Sequence, residues 1–411
     1  MGATAWRGWL GVVVLLGVGA RLAVMVPAPR KPLDDPENDP DNYRRIARSL
    51  RNGEGFALNG KLTAYRPPLY ALLLVPADAS RNPESPGGVW RLHLMLGGAT
   101  IAFTGLTARR WGLSWERAIL AAALVAFDPV LVVQSKTAMT ETLSAALVAM
   151  TLAALADREG LKVRDAVLGG LGFGLLGLCR PSVLPSAALV IVAEVVTGQG
   201  GWSRRIGRAA IVGVVVVATM SPWAYRNWRL FGEPVWSSTH GGYTLAMANN
   251  PVYYREILDG PPGAVWGGQT LWEWRRDITL LTMGLSEPEA NRRLSAEGWR
   301  MLRERPGTFC RASIARLGKF WAVAPSESVY PLGFRIATAL WTVPFWIALV
   351  VALLQRESWR WPRVGAIAMI AGLSAVHAIY WTDLRMRAPI VPALALLAAS
   401  ARRPGRILDL P

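Results

Sequence analysis

The chain has 411 residues, of which 52% are hydrophobic and 18% are charged, and its formal net charge is +17. A soluble domain carries roughly a quarter charged residues, so this composition excludes an ordinary soluble globular protein. A strongly basic soluble chain would indicate nucleic-acid binding, but basic cytoplasmic loops explain the excess in a membrane protein. We therefore expect membrane lipids and no nucleic acid as partners.

Apolar stretches recur along the chain, and a bilayer crossing needs about 20 apolar helical residues. We predict an all-α polytopic membrane protein with about ten transmembrane helices. The stretches lie near residues 8–27, 89–108, 118–133, 138–156, 165–197 (two crossings), 208–223, 333–354, 363–381 and 388–400.

The charge of the short loops predicts the orientation. If the N-terminus with Arg7 is cytoplasmic, every short loop on the inner side is basic, as the positive-inside rule requires. The residues concerned are Arg109, Arg110 and Arg117; Arg158, Lys162 and Arg164; Arg204, Arg205 and Arg208; Arg356, Arg360 and Arg363; and Arg402, Arg403 and Arg406 in the tail. The sequence thus predicts a multi-pass protein of the inner (plasma) membrane. A cleaved signal peptide over 8–20 is the alternative for the first stretch.

Two long polar segments fall on the predicted outer side and divide the chain into three parts. Residues 1–223 form an N-terminal transmembrane module that includes a first outer loop, 28–68. Residues 224–323 form an extracytoplasmic loop region, which we call the second outer region, and residues 324–411 form the C-terminal transmembrane helices.

The first outer loop begins with a run of carboxylates and continues into a short amphipathic helix. The carboxylates are Asp34, Asp35, Glu37, Asp39 and Asp41. Apolar residues from Tyr43 to Leu50 recur at helical spacing, with Asp41 as the predicted N-cap and Gly53 as the stop. We expect this helix to lie in the interface with its apolar side in lipid and its arginines toward phosphates.

The second half of this loop contains a hairpin signal, Asn59-Gly60, and ends in Tyr65-Arg66-Pro67-Pro68. An arginine held beside carboxylates suits a phosphorylated lipid, since a guanidinium binds phosphate bidentately and a carboxylate accepts a proton from the attacking group. The alternative interpretation is an acidic loop that is only solvated and an arginine with no special role.

These residues also carry a family resemblance. Asp39-Pro-Asp41-Asn-Tyr43, Gly53-Glu-Gly55-Phe56 and Ala64-Tyr65-Arg66-Pro67-Pro68-Leu69-Tyr70 resemble the first outer loop of the C-type glycosyltransferases (GT-C). The bacterial branch related to protein O-mannosyltransferases and the lipid A aminoarabinose transferase is the most similar. Weaker matches follow in order at Thr140-Glu141, Pro222-Trp223, Ser238-Thr239-His240-Gly241-Gly242 and Arg385-Met386-Arg387-Ala388-Pro389.

The resemblance implies an inverting glycosyltransferase with a GT-C fold. It would move a hexosyl or pentosyl group from a polyprenyl-phosphate donor to a hydroxyl or amine of a lipid, glycan or protein acceptor, at the extracytoplasmic face. Asp39 would be the catalytic base and Asp41 the second candidate, because Pro40 separates two carboxylates that the family often has adjacent. Arg66, Tyr65, Arg44 and Tyr43 would bind the donor phosphate or sugar.

Three further residues are predicted to contact the donor. Glu141 lies at the outer end of a span, His240 faces the same side as Asp39, and Arg385 belongs to the last outer turn. Ionisable residues near membrane depth are candidates for function, and Arg180 shares that property with Glu141, although both could instead snorkel to the interface. No cofactor is certain; the histidines lack metal-ligand spacing, and a divalent metal stays a possible cofactor.

Two competing interpretations remain from the sequence. Gly172-Phe-Gly174-Leu-Leu-Gly177 matches a dinucleotide motif, but it lies within an apolar span, where glycines favour close helix packing. A transporter or flippase of lipid-linked sugars is the alternative function. Transporters tend to contain duplicated halves and charges deep within the spans, whereas the candidate residues here cluster in loops and at span ends.

Overall fold

The computed structural model describes residues 3–26, 39–77, 87–158, 162–261, 264–326 and 330–401. The carboxylates at 34, 35 and 37, the start of the first outer loop at 28 and the basic tail lie outside the described residues. The described chain is almost entirely helical. Its one sheet pairs two short antiparallel strands, β1 (Ala57–Leu58) and β2 (Lys61–Leu62).

The N-terminal part contains ten helices within the described residues. They are α1 (Ala3–Met25), α2 (Tyr43–Arg51), α3 (Pro68–Ala77), α4 (Gly87–Arg110), α5 (Trp115–Ala126), α6 (Pro129–Gln134), α7 (Glu141–Ala154), α8 (Val163–Cys179), α9 (Leu184–Thr197) and α10 (Trp202–Phe231).

The remaining described helices follow α10. They are α11 (Gly241–Ala248), α12 (Pro251–Leu258), α13 (Gly268–Leu281), α14 (Glu287–Glu304), α15 (Pro306–Phe320), α16 (Leu332–Leu353), α17 (Arg363–Ile379) and α18 (Val391–Ser400). Short 3-10 turns occupy Pro181–Val183, Arg356–Trp359 and Leu384–Ile390.

Three described helices are long and apolar enough to cross a membrane: Ala5–Met25, Trp202–Phe231 and Leu332–Leu353. Pro68–Ala77, Glu141–Ala154, Pro181–Thr197 and Arg363–Ile379 are apolar but shorter. Many apolar side chains on the long helices are exposed, including Leu15 (72%) and Leu340 (72%), which fits contact with lipid rather than water. The predicted membrane protein is supported, and the number of ten crossings stays a prediction.

The third predicted span is divided in the structure. Helix α5 ends at Ala126, and Asp128 caps a new helix, α6, by accepting a hydrogen bond from the Leu131 amide at 2.9 Å. Pro129 follows, and its missing N–H suits the first turn of a helix. The apolar stretch over 118–133 is therefore interrupted between two helices, at the buried carboxylate of Asp128.

The glycines of α8 serve helix packing, as their position within an apolar stretch predicts. A Cβ added to Gly174 would lie 2.5 Å from the Thr219 Cβ of α10, and one added to Gly170 would lie 2.8 Å from the Val212 carbonyl oxygen. Such contacts are too short for a side chain, so these glycines permit the close approach of α8 and α10.

The second outer region has its own apolar core, made largely of helices α11 to α15. Tyr253, Trp266 and Trp274 are among its buried aromatic residues. Gly242 of α11 faces α14, where an added Cβ would meet the Asn291 carbonyl oxygen at 2.1 Å. This packing fixes the segment that carries His240 onto α14.

Candidate active site

Asp39 lies in a tight turn that leads into α2. The Asn42 amide donates to the Asp39 carbonyl oxygen at 3.1 Å, and Asn42 adopts a left-handed conformation (φ 61°), which asparagine tolerates better than most residues. The turn directs the Asp39 carboxylate back onto the helix start, where Oδ2 accepts from the Arg45 amide at 3.1 Å.

The second oxygen of Asp39 is buried. Asp39 is only 3% exposed, and its Oδ1 has no hydrogen-bond partner among the described residues. Burial raises the pKa of Asp39 to about 6, although the amides of Arg45, Arg44 and Tyr43 and the Arg44 charge act in the opposite direction. A buried carboxyl group with one unpartnered oxygen and a pKa near neutrality fits a general base.

Helix α2 differs from its prediction in three respects, although its bounds match the apolar periodicity and Gly53 (φ 78°) follows its end. Its apolar face packs on α3 in the protein core rather than in lipid; Ile46 is 0% and Ala47 1% exposed. Asn42, not Asp41, is the N-cap. Arg44, predicted among the arginines that face phosphates, is buried.

Asp41 and Arg66 form an ion pair across the first outer loop. Arg66 Nη2 donates to Asp41 Oδ1 at 2.7 Å, and Arg66 Nε donates to the Asp41 carbonyl oxygen at 3.1 Å. The predicted hairpin makes this pairing possible: Asn59 (φ 53°) and Gly60 (φ 74°) form its tight turn, and the chain returns toward the start of α2.

Aromatic residues surround the Arg66 guanidinium. It lies 5.0 Å from the ring centre of Tyr65 and 5.9 Å from that of Tyr43. The Tyr65 ring contacts His240 edge to face at 4.5 Å, and His240 stacks on Tyr243 at 5.1 Å. Burial and the Arg66 charge hold the pKa of His240 well below its ordinary value, so this imidazole is neutral at physiological pH.

Glu141 and Arg385 belong to a second group, together with Arg180 and Asp383; we call these four residues the Glu141 cluster. Glu141 is 1% exposed, and its Oε1 lies 3.3 Å from Arg180 Nη1 and 3.8 Å from Arg385 Nη1. Asp383 Oδ2 accepts from Arg385 Nε at 3.1 Å. Helix α8 ends where Pro181 prevents its continuation, and Arg180, whose backbone is extended there, reaches Glu141 with its side chain.

The two groups are within electrostatic range of each other. Burial raises the pKa of Tyr43, and the charges of Arg66, Asp41 and Arg180 also act on it. Helix α3, which packs on α2, also contacts α8. The structure therefore brings the candidate residues of the first outer loop and His240 into one group and places the Glu141 cluster nearby.

A carboxylate of the second outer region holds the first outer loop in place. Glu287, the first residue of α14, accepts hydrogen bonds from Thr63 Oγ1 (2.5 Å), the Ala64 amide (2.9 Å) and Thr239 Oγ1 (3.1 Å). Arg226 donates from the other side to the Thr63 and Phe56 carbonyl oxygens at 2.8 and 3.2 Å. We call this set of contacts the Glu287 junction.

Sequence reasoning missed the Glu287 junction. Ser286 and Glu289 form a capping box at the start of α14, a signal that locates the helix start but not the partners of Glu287. Arg226 was not among the predicted site residues. Tyr243 was also missed, and its stacking on His240 was not foreseeable from the intervening glycines.

The donor set for a divalent metal is incomplete in the described part of the chain. No group of at least three His, Cys, Asp or Glu side chains converges among the described residues in a way that could hold a metal ion. Asp41 is already paired with Arg66.

The fold resembles that of archaeal oligosaccharyltransferases. The apo enzyme from Archaeoglobus fulgidus matches with a TM-score of 0.54 and 15% identity over 96% of this chain and 50% of that chain. AglB of the same organism, in complex with an inhibitory peptide and a dolichol-phosphate, matches with a TM-score of 0.53 and 15% identity over 95% and 50% of the two chains. The chain has the C-type glycosyltransferase fold.

This likeness concerns the fold, and the chain spans about half the length of the archaeal proteins. ArnT from Cupriavidus metallidurans, bound to undecaprenyl phosphate, is less similar, with a TM-score of 0.45 and 15% identity over 97% of this chain and 77% of that chain. No protein-family model and no curated protein matches the sequence.

Proposed function

We propose that the protein is an integral membrane glycosyltransferase that moves a sugar, with inversion, from a polyprenyl-phosphate donor to a hydroxyl or amine acceptor at the extracytoplasmic face. The fold supports this class, and one archaeal protein of the same fold is complexed with a dolichol-phosphate. The observation that carries the proposal is the buried Asp39 with its unpartnered Oδ1, close to the Asp41–Arg66 pair.

Asp39 is the proposed base of the transfer. Its Oδ1 takes the proton of the acceptor O–H or N–H as the acceptor atom bonds to the anomeric carbon. The bond between that carbon and the phosphate oxygen breaks, and the electron pair leaves with the phosphate of the carrier. Arg66 stabilises the negative charge that develops there, because a cation in a water-poor site is worth more than in bulk water.

The other candidate residues have supporting roles in this proposal. Tyr43 and Tyr65 shape the surroundings of Arg66, and Arg44 adds a buried positive charge near Asp39. The neutral His240 imidazole can hydrogen-bond to a sugar hydroxyl. Its Nδ1 has no partner among the described residues. Glu141 and Arg385 complete the donor side.

Reconstitution tests the proposal. Purified protein in liposomes receives polyprenyl-phosphate sugars with a labelled sugar, and both the release of carrier phosphate and the transfer of label are measured. Transfer to an added or endogenous acceptor that Asp39→Asn abolishes supports the enzyme. Movement of the labelled lipid between leaflets without any transfer would replace it by the flippase alternative.

A further inference from the structure

Two arginines of the Glu141 cluster each direct one hydrogen-bond donor at a sulfur atom. Arg180 Nη1 donates to Thr140 Oγ1 at 3.2 Å and Arg385 Nε donates to Asp383, but Arg180 Nη2 donates to the thioether sulfur of Met386, and Arg385 Nη1 donates to that of Met139. A thioether is a weak acceptor. Arg180 Nε is buried and has no partner among the described residues. The N–H groups of a buried guanidinium are strong hydrogen-bond donors, and a sulfur atom satisfies them poorly.

The carboxylate between the arginines does not satisfy them either. Both oxygens of Glu141 are buried without a hydrogen bond among the described residues, and the contacts of 3.3 and 3.8 Å exceed the roughly 2.7–2.9 Å of a charge-assisted hydrogen bond. A matched pair at the predicted inner side differs. Arg208 Nε and Nη2 donate to Glu194 Oε1 at 2.9 and 2.6 Å.

We propose that Arg180 and Arg385 form a phosphoryl-binding subsite that takes a phosphate of the lipid carrier, distinct from the Asp41–Arg66 pair. This proposal rests on the proposed function. A phosphoryl group offers strong acceptor oxygens in place of the two sulfurs and can accept from two guanidinium groups at once. Glu141 holds the two cations together until the anion arrives.

The position of the subsite fits a ligand shared with the first outer loop. Burial lowers the pKa of Arg385, but Asp383, Glu141 and Asp41 together raise it. Asp41, the partner of Arg66, is thus within electrostatic range of Arg385. An anion bound between the Glu141 cluster and the Asp41–Arg66 pair would interact with the charges of both.

Binding of the carrier alone tests the subsite. The affinity of the purified full-length protein for polyprenyl phosphate and for polyprenyl diphosphate of equal chain length is measured in detergent by microscale thermophoresis. We expect Arg180→Gln to weaken binding at least about tenfold, as for the loss of a hydrogen bond to a charged group. Arg180→Lys keeps part of the affinity, because it retains the charge but not the planar donors.

Arg208→Gln is the matched control, because it also removes an arginine from a buried glutamate. We expect this variant to bind the carrier with wild-type affinity. A loss for both lipids assigns the subsite to the phosphate that bears the sugar, and a loss for the diphosphate alone assigns it to a second phosphate. Wild-type affinity in Arg180→Gln and Arg385→Gln, with wild-type melting temperatures, would overturn the subsite but not the proposed function. A wild-type protein that binds neither lipid would overturn both.

Discussion

Replacing Asp39 by asparagine should separate activity from stability. Asparagine is nearly isosteric and its side-chain oxygen can still accept from the Arg45 amide, the contact that Oδ2 makes at 3.1 Å. It cannot accept a proton from the acceptor. Since general base catalysis contributes about 10²- to 10⁴-fold, we expect Asp39→Asn to lose transfer by at least about 100-fold at pH 7.5, where the wild-type carboxylate is ionised, and by less as the pH falls below about 6.

The same substitution should stabilise the fold. Burial raises the pKa of Asp39 from its ordinary value of 3.8 to about 6, and each unit corresponds to about 1.36 kcal/mol, so the ionised carboxylate costs the folded state about 3 kcal/mol. A raised pKa makes this cost complete above about pH 6 and absent below about pH 4. Asp39→Asn should therefore raise the melting temperature at pH 7.5 and leave it unchanged near pH 4.

Asp41→Asn is the matched comparison because it should act on stability with the opposite sign. It removes the charged partner of Arg66, a contact of 2.7 Å between partly buried groups, and should lower the melting temperature while reducing transfer less than Asp39→Asn does. Initial rates with a labelled donor and thermal unfolding in detergent measure both effects. Full activity in Asp39→Asn together with an inactive Asp41→Asn would refute the assignment and move the base to Asp41.

Three further predictions concern the titration of the base, the Glu287 junction and the packing of the second outer region. In the wild type, the rate of transfer should fall about tenfold per pH unit below about pH 6, as Asp39 takes up a proton. A rate that begins to fall only near pH 4 would contradict this. Glu287→Ala removes three accepted hydrogen bonds, and we expect slower transfer and earlier proteolysis of the second outer region. Glu289→Ala removes only a helix cap and should have a smaller effect. Equal effects of the two substitutions would argue against the Glu287 junction. Gly242→Ala would place a Cβ 2.1 Å from the Asn291 carbonyl oxygen, whereas Gly241→Ala would place one 3.9 Å from its nearest neighbour. We expect only Gly242→Ala to lower the melting temperature, because overpacking reduces the free energy of unfolding by about 1–3 kcal/mol. Similar melting temperatures for the two variants would refute this packing.

Local signals predicted local structure in the first outer loop. Apolar spacing located α2, and Asn59-Gly60 located the hairpin, because a tight turn and a helix face depend on residues a few positions apart. The environment of α2 was predicted wrongly for the same reason. An apolar face indicates burial but not whether lipid or protein covers it, and α3 covers it here.

The sequence did not predict contacts between residues that are far apart in the chain. Glu141 and Arg385 were candidates separately, but nothing in the spacing indicated that Glu141 lies between Arg180 and Arg385 or that Met139 and Met386 accept from the two arginines. The Glu287 junction joins residues whose positions differ by 224. A single sequence contains no measure of such proximity, and the choice of Asp39 over Asp41 as the base stays a prediction.

The distribution of arginines explains why Asp39, rather than another carboxylate, suits the role of the base. Asp41 is paired with Arg66, and Glu141 lies between Arg180 and Arg385, so both carboxylates already face cations. Asp39 instead accepts from a backbone amide, and burial raises its pKa. The arginines are oriented by the other two carboxylates before a donor binds, so little reorganisation is needed when the phosphate charge develops.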